Sequence, residues 1–533
     1  MKKYFPFLFF TVLFLFKNIQ VSSQKHMNWY NDHDNGLQTH LAYKKVLINK
    51  ESKPVIVAII DSGVDIEHED LKGSIWVNKK EIPGNNIDDD KNGYVDDVNG
   101  WNFLGNYKGQ NLNNTTLEVT RIFSALDTVF NKIKDGNIDE NQKSDYELYL
   151  DVKNKVEKNI EEMNKEISEY KSIYNTVAIA DDSLKKNVGL DYTINDLKKI
   201  DKKDPNYVFS KIILQLNRYG YTLTEIEDDI SYFQNQIDFN YNPKLNLRSQ
   251  VIGDDLSDIN DNNYGNNNVE GPDANHGTHC AGIVGANRNN DIGSNGVADN
   301  VMLMSIRAVP NGDEWDKDIA LAIRYAVDNG AKVINMSFGK DYSPEKQMVI
   351  DAVRYAEVND VLLVHAAGNE SSNIDTVSNY PSPKYPSMTK SFSNWMEVGA
   401  STRFKKAKFK KGYLKNDGLA ADFSNYGFKL VDVFAPGHDI YSTIPENNYE
   451  FSSGTSMAAP MVSGVAALLK SYYPNFTMLE IKKIILKSSI NYSDFITSLP
   501  GKPSIETSFG KLSSSGGIAN VYSAVLLAEK TYK

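Results

Sequence analysis

Residues 53–60 read Lys-Pro-Val-Ile-Val-Ala-Ile-Ile, and no other stretch limits the fold of this chain so tightly. The run is β-branched and apolar without alternation, so a strand made from it needs cover on both faces, as in a central parallel strand. Similar runs recur at 301–306, 333–336, 361–365 and 396–400, and helical patterns alternate with them, notably at 319–329 and 347–359. Strands alternating with helices of this length predict βαβ units, hence an α/β fold with a mostly parallel central sheet. Such sheets bind ligands at the carboxyl ends of their strands. Asp61-Ser62-Gly63 and Ala366-Ala367-Gly368-Asn369 both fall at that edge.

The bulk properties narrow the function. Of 533 residues, 41 % are hydrophobic and 24 % charged, which is globular rather than disordered composition. A net charge of −11 without a basic stripe repels a phosphate backbone, so nucleic acid is excluded as a partner. The single cysteine, Cys280, rules out an internal disulfide and leaves packing or a bound metal to stabilise the fold. At the N-terminus, Lys2 and Lys3 precede an apolar run over 5–16, and small polar residues follow at Val21-Ser22-Ser23. That pattern predicts an export signal over residues 1–24. Twelve or so apolar residues are too few to cross ~30 Å of hydrocarbon as a helix, so no stable membrane span is expected after cleavage. The expected destination is extracellular, periplasmic or at the cell surface.

From about 105 to 250 the strand signals vanish. Tyr149, Val152, Val156, Ile160, Met163, Ile167, Tyr170, Tyr174 and Val177 recur at spacings of three and four, one apolar stripe along a long helix. A second helical stretch covers 207–216, and Asn- and Asp-rich segments near 111–116 and 254–268 resemble linkers. The reading is a helical insertion, 105–250, that interrupts an α/β domain built from 25–104 and 251–533.

Three segments carry chemistry: Val57-Ala58-Ile59-Ile60-Asp61-Ser62-Gly63, Asn275-His276-Gly277-Thr278-His279-Cys280-Ala281-Gly282, and Gly454-Thr455-Ser456-Met457-Ala458-Ala459-Pro460. Peptide hydrolysis by a serine needs a hydroxyl, an imidazole to take its proton and a buried carboxylate to orient that imidazole. Singly each segment is weak, because many α/β strands end in Asp and a His before Gly is often structural. In the order Asp, His, Ser they resemble the three signature motifs of the subtilisin-like serine peptidases, over roughly 28–104 and 270–528. The resemblance implies a three-layer subtilisin-like fold and a serine endopeptidase acting on peptide or protein substrates. It also implies roles: Ser456 as nucleophile, His276 as general base and acid, Asp61 as orienting carboxylate and Asn369 as oxyanion donor. Ser337-Phe338-Gly339, after Val333-Ile334-Asn335-Met336, is similar to the family's substrate-binding edge, with Ala366, Ala367 and Gly368 beside it. Phe338 stands where the family often has leucine, which would narrow the adjoining pocket.

The neighbours have blander readings. His279 is expected to be a packed helix histidine and Cys280 a small buried hydrophobe; His68, His365 and His438 join no constellation. Calcium is the cofactor suggested by two stretches. Asp88, Asp90 and Asn92 offer oxygens at alternate positions before Gly93, like the start of an EF-hand loop, although Asn99 stands where a bidentate glutamate belongs. An ordinary polar turn is the alternative. Asn289-Asn290-Asp291-Ile292-Gly293 resembles the family's calcium loop, which would add Asp70 and Asn290 as ligands.

Two features depart from the family. About 215 residues separate Asp61 from His276, far more than usual. The insertion has four readings: a lid, an exosite for a protein partner, a self-association element, or a solvated hairpin without a catalytic role. Only about thirty residues lie between Gln24 and the first strand, so folding without a cleaved N-terminal prodomain is expected. The alternative function is a catalytically silent scaffold that binds through its insertion, but such a chain would usually have lost a triad residue. A lipase or esterase conflicts with the chain order and with Gly-Thr-Ser-Met in place of a Gly-x-Ser-x-Gly elbow.

Overall fold

A nine-stranded sheet forms the centre of the larger of two units. In chain order its strands are β1 (Val55–Asp61), β2 (Gly100–Asn102), β3 (Val301–Arg307), β4 (Val333–Met336), β5 (Leu362–Ala366), β6 (Trp395–Ser401), β7 (Val433–Pro436), β8 (Ile490–Asn491) and β9 (Gly517–Ile518). Across the sheet they lie in the order β8-β9-β7-β6-β5-β4-β1-β3-β2, with every neighbouring pair parallel except β8 with β9. The computed structural model describes residues 27–32, 34–133, 138–410 and 413–531; the expected export signal over 1–24 lies outside them. Among the described residues no helix is long and apolar enough to cross a membrane.

The unbroken apolar runs are explained by two cores. Val55, Val57 and Ile59 of β1 and Leu362, Val364 and Ala366 of β5 face one core, shared with helices α1 (Asn275–Gly285) and α4 (Thr455–Tyr472). Ala58 and Ile60, with Ile334 and Met336 of β4, face the other, under α2 (Asp316–Asp328) and α3 (Lys346–Val358). Successive side chains of a strand point to opposite faces, so a sheet sandwiched between helix layers demands apolar residues at every position. The architecture is therefore the expected three-layer α/β fold.

Strand register places Asp61 beside Arg307 at the carboxyl edge of the sheet. Arg307 is 1 % exposed, and its guanidinium donates to Ser62 O at 2.9 Å, to Asn102 Oδ1 at 3.0 Å and to Leu112 O. Burial lowers its pKa to about 10, with the charge of Asp273 opposing. A buried cation with its donors met by oxygens ties the turn after Asp61 to the neighbouring strands.

The smaller unit is Val119–Leu245, and the larger takes up 23–118 and 246–533. Residues 105–118 and 246–250, part of the helix-rich stretch, thus belong with the sheet. Their apolar and charged side chains explain why. Leu104, Leu112 and Trp315 form a small core with Leu247 and Val251. Arg248, 4 % exposed, donates to both oxygens of Asp254 at 2.8 and 2.9 Å and to Asp318 Oδ1 at 2.8 Å, its guanidinium 4.5 Å from the Trp315 ring.

Within the smaller unit, one helix of 45 residues, Lys143–Asn187, buries Tyr149, Val152, Val156, Ile167, Tyr170 and Val177 of the predicted stripe. It packs on the Tyr207–Arg218 and Leu223–Asn235 helices around Tyr170, Val177, Tyr221 and Ile226. Thr222 and Glu225 form a reciprocal capping box at the start of the latter.

Candidate active site

His276 occupies the first turn of α1, and its Nδ1 lies 2.7 Å from Asp61 Oδ1 at the end of β1. The helix comes this close because residue 277 is glycine. A Cβ there would stand 2.0 Å from Gly63 O and 3.1 Å from Asp61 Cβ. Asp61 is 2 % exposed at its side chain and also accepts from Ser62 N at 2.7 Å, whereas the imidazole is 40 % exposed. Burial pulls the His276 pKa down, but the charge of Asp61 and its hydrogen bond outweigh that and raise it above the ordinary value. A carboxylate only accepts, so Nδ1 carries the proton and Nε2 is left as the basic nitrogen.

Ser456 is the second residue of α4. Its carbonyl accepts from Cys280 Sγ at 3.3 Å and from Ser337 Oγ at 2.9 Å, and its own hydroxyl donates to Ser337 O at 3.2 Å. Cys280 lies one turn beyond His276 on α1, and Ser337 directly follows β4. The serine is thus held against both elements. Among the described residues no hydrogen bond joins the imidazole to the Ser456 hydroxyl. That hydroxyl turns about one bond, and such contacts often tighten only around a substrate.

After β5 the chain turns at Gly368, whose φ of +101° suits glycine. Asn369 follows. Its Oδ1 accepts from Thr455 N at 2.8 Å and Thr455 Oγ1 at 3.1 Å, while Gly368 N donates to Thr455 Oγ1 at 3.0 Å. These bonds fix which way the amide faces. Asn369 Nδ2 and Ser456 N both lie 3.6 Å from the point where a Cβ on Gly454 would sit. Two N–H donors therefore border one small space beside the serine.

Ser337 and Phe338 are buried and Gly339 is exposed. Among the described residues the backbone groups of Phe338 and Gly339 have no hydrogen-bond partner, which leaves an open edge that suits an extended peptide. The Phe338 ring stands edge-on to His365, centroids 6.2 Å apart. Ala367 O accepts from Asn379 Nδ2 at 3.0 Å and from Asn425 Nδ2 at 2.9 Å, which braces the segment across from that edge.

Comparison with known proteins places the chain in a family. The model of the Subtilase family matches residues 172–511, more than half of the chain. The chain belongs to the subtilase family. This subtilase is 42 % identical over 212 residues to a thermophilic serine proteinase of Bacillus sp. (strain AK1), covering 40 % of this chain and 46 % of that one. It is 36 % identical over 222 residues to subtilisin DY of Bacillus licheniformis, covering 41 % and 72 % respectively. The chain spans about half the length, or less, of the first curated relatives it matches. Among solved structures it resembles proteases from Pseudoalteromonas arctica PAMC 21717, at a TM-score of 0.39 and 28 % identity over 52 % of this chain and 82 % of that one.

The other histidines of the subtilase separate by environment. His279, 1 % exposed, directs Nε2 at Ile440 O (3.1 Å) and Glu450 O (3.3 Å), and burial lowers its pKa to about 4. It is a packed helix residue. His365 joins a buried pair that the sequence did not suggest, with Nδ1 2.9 Å from Glu397 Oε1, and Trp395 Nε1 donates to Glu397 Oε2 at 2.7 Å. His68 accepts from Asp70 N at 3.1 Å, and His438 lies 3.4 Å from Asp439. The Cys280 thiol is fully buried, and burial first, then the charge of Asp61, pushes its pKa well above the ordinary value. Such a thiol is a poor nucleophile.

The two candidate cation stretches differ. Carboxylate oxygens of Asp88, Asp90 and Glu81 lie within 4.8 Å of one another. Backbone N–H groups of Asn92 and Gly93 donate to Asp88, and Asn92 turns its amide to Asp97 Oδ2 at 3.0 Å. Glu81 carries no EF-hand signal in the sequence, because that pattern places its glutamate after the loop, at position 99, whereas Glu81 precedes it. Asn99 instead donates to Trp76 O at 2.8 Å. At the second stretch, Asp70 Oδ1 accepts from Asn290 Nδ2 at 2.7 Å and Oδ2 from Ser294 N at 3.1 Å. The predicted pair Asp70 and Asn290 is thus in contact, but among the described residues Asp70 belongs to no group of three or more His, Cys, Asp or Glu side chains close enough to share an ion.

Proposed function

We propose that this subtilase is an exported serine endopeptidase that cleaves peptide bonds through an acyl-enzyme intermediate. The observation that carries the reading is the 2.7 Å bond between His276 Nδ1 and the buried Asp61, next to the helix terminus that presents Ser456. In the proposed reaction an extended peptide lies along 337–339 and brings its carbonyl carbon to Ser456 Oγ. As Oγ attacks, His276 Nε2 takes its proton, and Asp61 stabilises the imidazolium. Negative charge passes to the carbonyl oxygen, where Ser456 N–H and Asn369 Nδ2 donate to it. His276 then returns the proton to the leaving amine, and water repeats the cycle on the ester. Export is inferred from Lys2, Lys3 and the apolar run after them.

A fluorophosphonate probe tests the reading directly. Wild-type protein is expected to gain one label at Ser456, and Ser456→Ala none. An unlabelled wild type would favour the scaffold reading instead.

The all-oxygen donor set of Asp88, Asp90 and Glu81 fits a hard cation, and we assign calcium to it, with Asp70, Asn290 and nearby carbonyls as a second position. Bound calcium would neutralise clustered carboxylates and fasten surface loops in a chain without disulfides. Saturation at ~100 times the dissociation constant stabilises by about 2.7 kcal/mol, and a unit as large as 23–118 with 246–533 shifts by only roughly 1 °C per kcal/mol, because its unfolding entropy grows with its length. EDTA is therefore expected to lower the unfolding temperature by roughly 3 °C, and Asp88→Asn with Asp90→Asn should remove most of that response. An unfolding temperature indifferent to EDTA would remove calcium from the account.

A further inference from the structure

Lys340 directly follows the open 337–339 edge, yet it is 5 % exposed. Its Nζ lies 2.9 Å from Glu118 Oε2 and 2.9 Å from Asp316 Oδ1, and donates to Glu314 O at 2.8 Å. All three donors of the ammonium are used. The backbone is fixed as well, because Lys340 N donates to Tyr380 O and Tyr380 N to Lys340 O, each at 2.9 Å. Asp316, in the first turn of α2, also accepts from Ser343 Oγ at 3.0 Å and Glu345 N at 2.8 Å. Glu118 is anchored in turn, its N–H donating to Asp313 Oδ2 at 2.7 Å. It is the last residue of the larger unit before the inserted stretch and the first of the Glu118–Phe130 helix.

A buried lysine is a costly anchor, since its desolvation is repaid only where its partners are well placed. Here those partners hold one chain segment from two sides, the side chain toward Glu118 and Asp316, the backbone toward Tyr380. We propose that Lys340 is a positioning residue that keeps the 337–339 edge in register for an extended peptide, with Glu118 rooting that edge at the start of the insertion. This rests on the peptidase reading above. The substrates affected are peptides with several residues before the scissile bond. A small ester that does not reach the edge is indifferent to it.

The test compares Lys340→Met, Lys340→Arg and Glu118→Gln in the full chain on two substrates, an extended chromogenic peptide and a single-residue ester. A misplacement of about 1 Å costs up to ~10²-fold, so Lys340→Met is expected to lower kcat/KM on the peptide by roughly ten- to a hundredfold, chiefly through KM. Ester turnover and fluorophosphonate labelling of Ser456 stay at the wild-type rate. Glu118→Gln, which leaves the lysine its contact with Asp316, gives a smaller loss of the same kind, and Lys340→Arg recovers part of it. Peptide and ester rates that fall together would overturn the proposal, as would a peptide KM that does not change in any variant. If Lys340→Met fails to fold, Glu118→Gln decides the matter by the same comparison. Failure of the peptidase reading is distinguished by wild-type protein that takes no label.

Discussion

Asp61→Asn is expected to lower kcat by about 10⁴-fold while leaving the fold intact, since the neutral amide fills the same volume but no longer enforces the tautomer with Nδ1 protonated. The pH profile should move as well, and its direction follows from the forces on His276. Asp61 raises the imidazole pKa against the pull of burial. The reactive form is the neutral imidazole, so wild-type kcat/KM should rise with pH through a midpoint above the ordinary histidine value of ~6.5. Removing the charge leaves burial opposed by little more than the weaker field of Asp273. The midpoint in Asp61→Asn should then fall below the wild-type one, and the plateau above it should be lower. Rates measured between about pH 4 and 10 check both expectations. An activity loss below about tenfold, or an acid limb that stays in place, would mean that the 2.7 Å contact does not govern the base.

How much of this was readable beforehand depends on how locally each feature is encoded. β1, β3, β4, β5 and β6 announced themselves because doubly covered strands must be apolar at every position. β2, with three residues, and β8 and β9, with two each, carry too few side chains for any period to show. The three motif segments were visible for the same local reason. Their meeting was not, because it depends on sheet order: β1 lies between β3 and β4, so Asp61 ends up next to the helix that begins at Asn275, over two hundred residues on. Cys280 read as filler, and only the folded arrangement shows its thiol 3.3 Å from the Ser456 carbonyl.

Charged residues were the least legible. Arg248, Lys317 and Lys340 look in the sequence like solvated side chains, yet each is 5 % exposed or less. Lys317 donates to Asp254 Oδ2 at 2.8 Å, and Arg248 shares that carboxylate. These groups are tolerable in the interior only because acids meet them, and apart from Asp254, six residues after Arg248, those acids are distant in sequence: Asp318 for Arg248, Asp254 for Lys317 and Glu118 for Lys340. They cluster about residues 314–318, beside the two segments that lead into and out of the smaller unit. A long insertion placed between two motifs would otherwise leave its flanking chain loose, since closing a loop costs more entropy as the loop lengthens. Buried ion pairs at Glu118 and Arg248 fix those flanks within the larger unit, so the length between them need not disturb the sheet edge.

Asn369→Ala is expected to lower kcat by about 10²–10³-fold, equivalent to roughly 3–4 kcal/mol, with little change in KM. The split follows from where charge appears. A ground-state carbonyl asks little of the amide, whereas the oxyanion formed on attack draws on it fully, so the lost interaction belongs to the transition state. The geometry supports Nδ2 as the donor, because Oδ1 is already committed to Thr455 N and Oγ1, and the amide cannot turn without breaking both bonds. The same bonds mean that alanine also leaves Thr455 N without its acceptor. Asn369 is exposed, so water can take that place and the melting temperature should hardly move. The decisive comparison is kcat against KM on a short peptide, with Ser456 labelling by a fluorophosphonate followed in parallel. A variant whose KM rises while kcat holds would assign Asn369 to substrate binding and leave Ser456 N–H as the donor to the oxyanion.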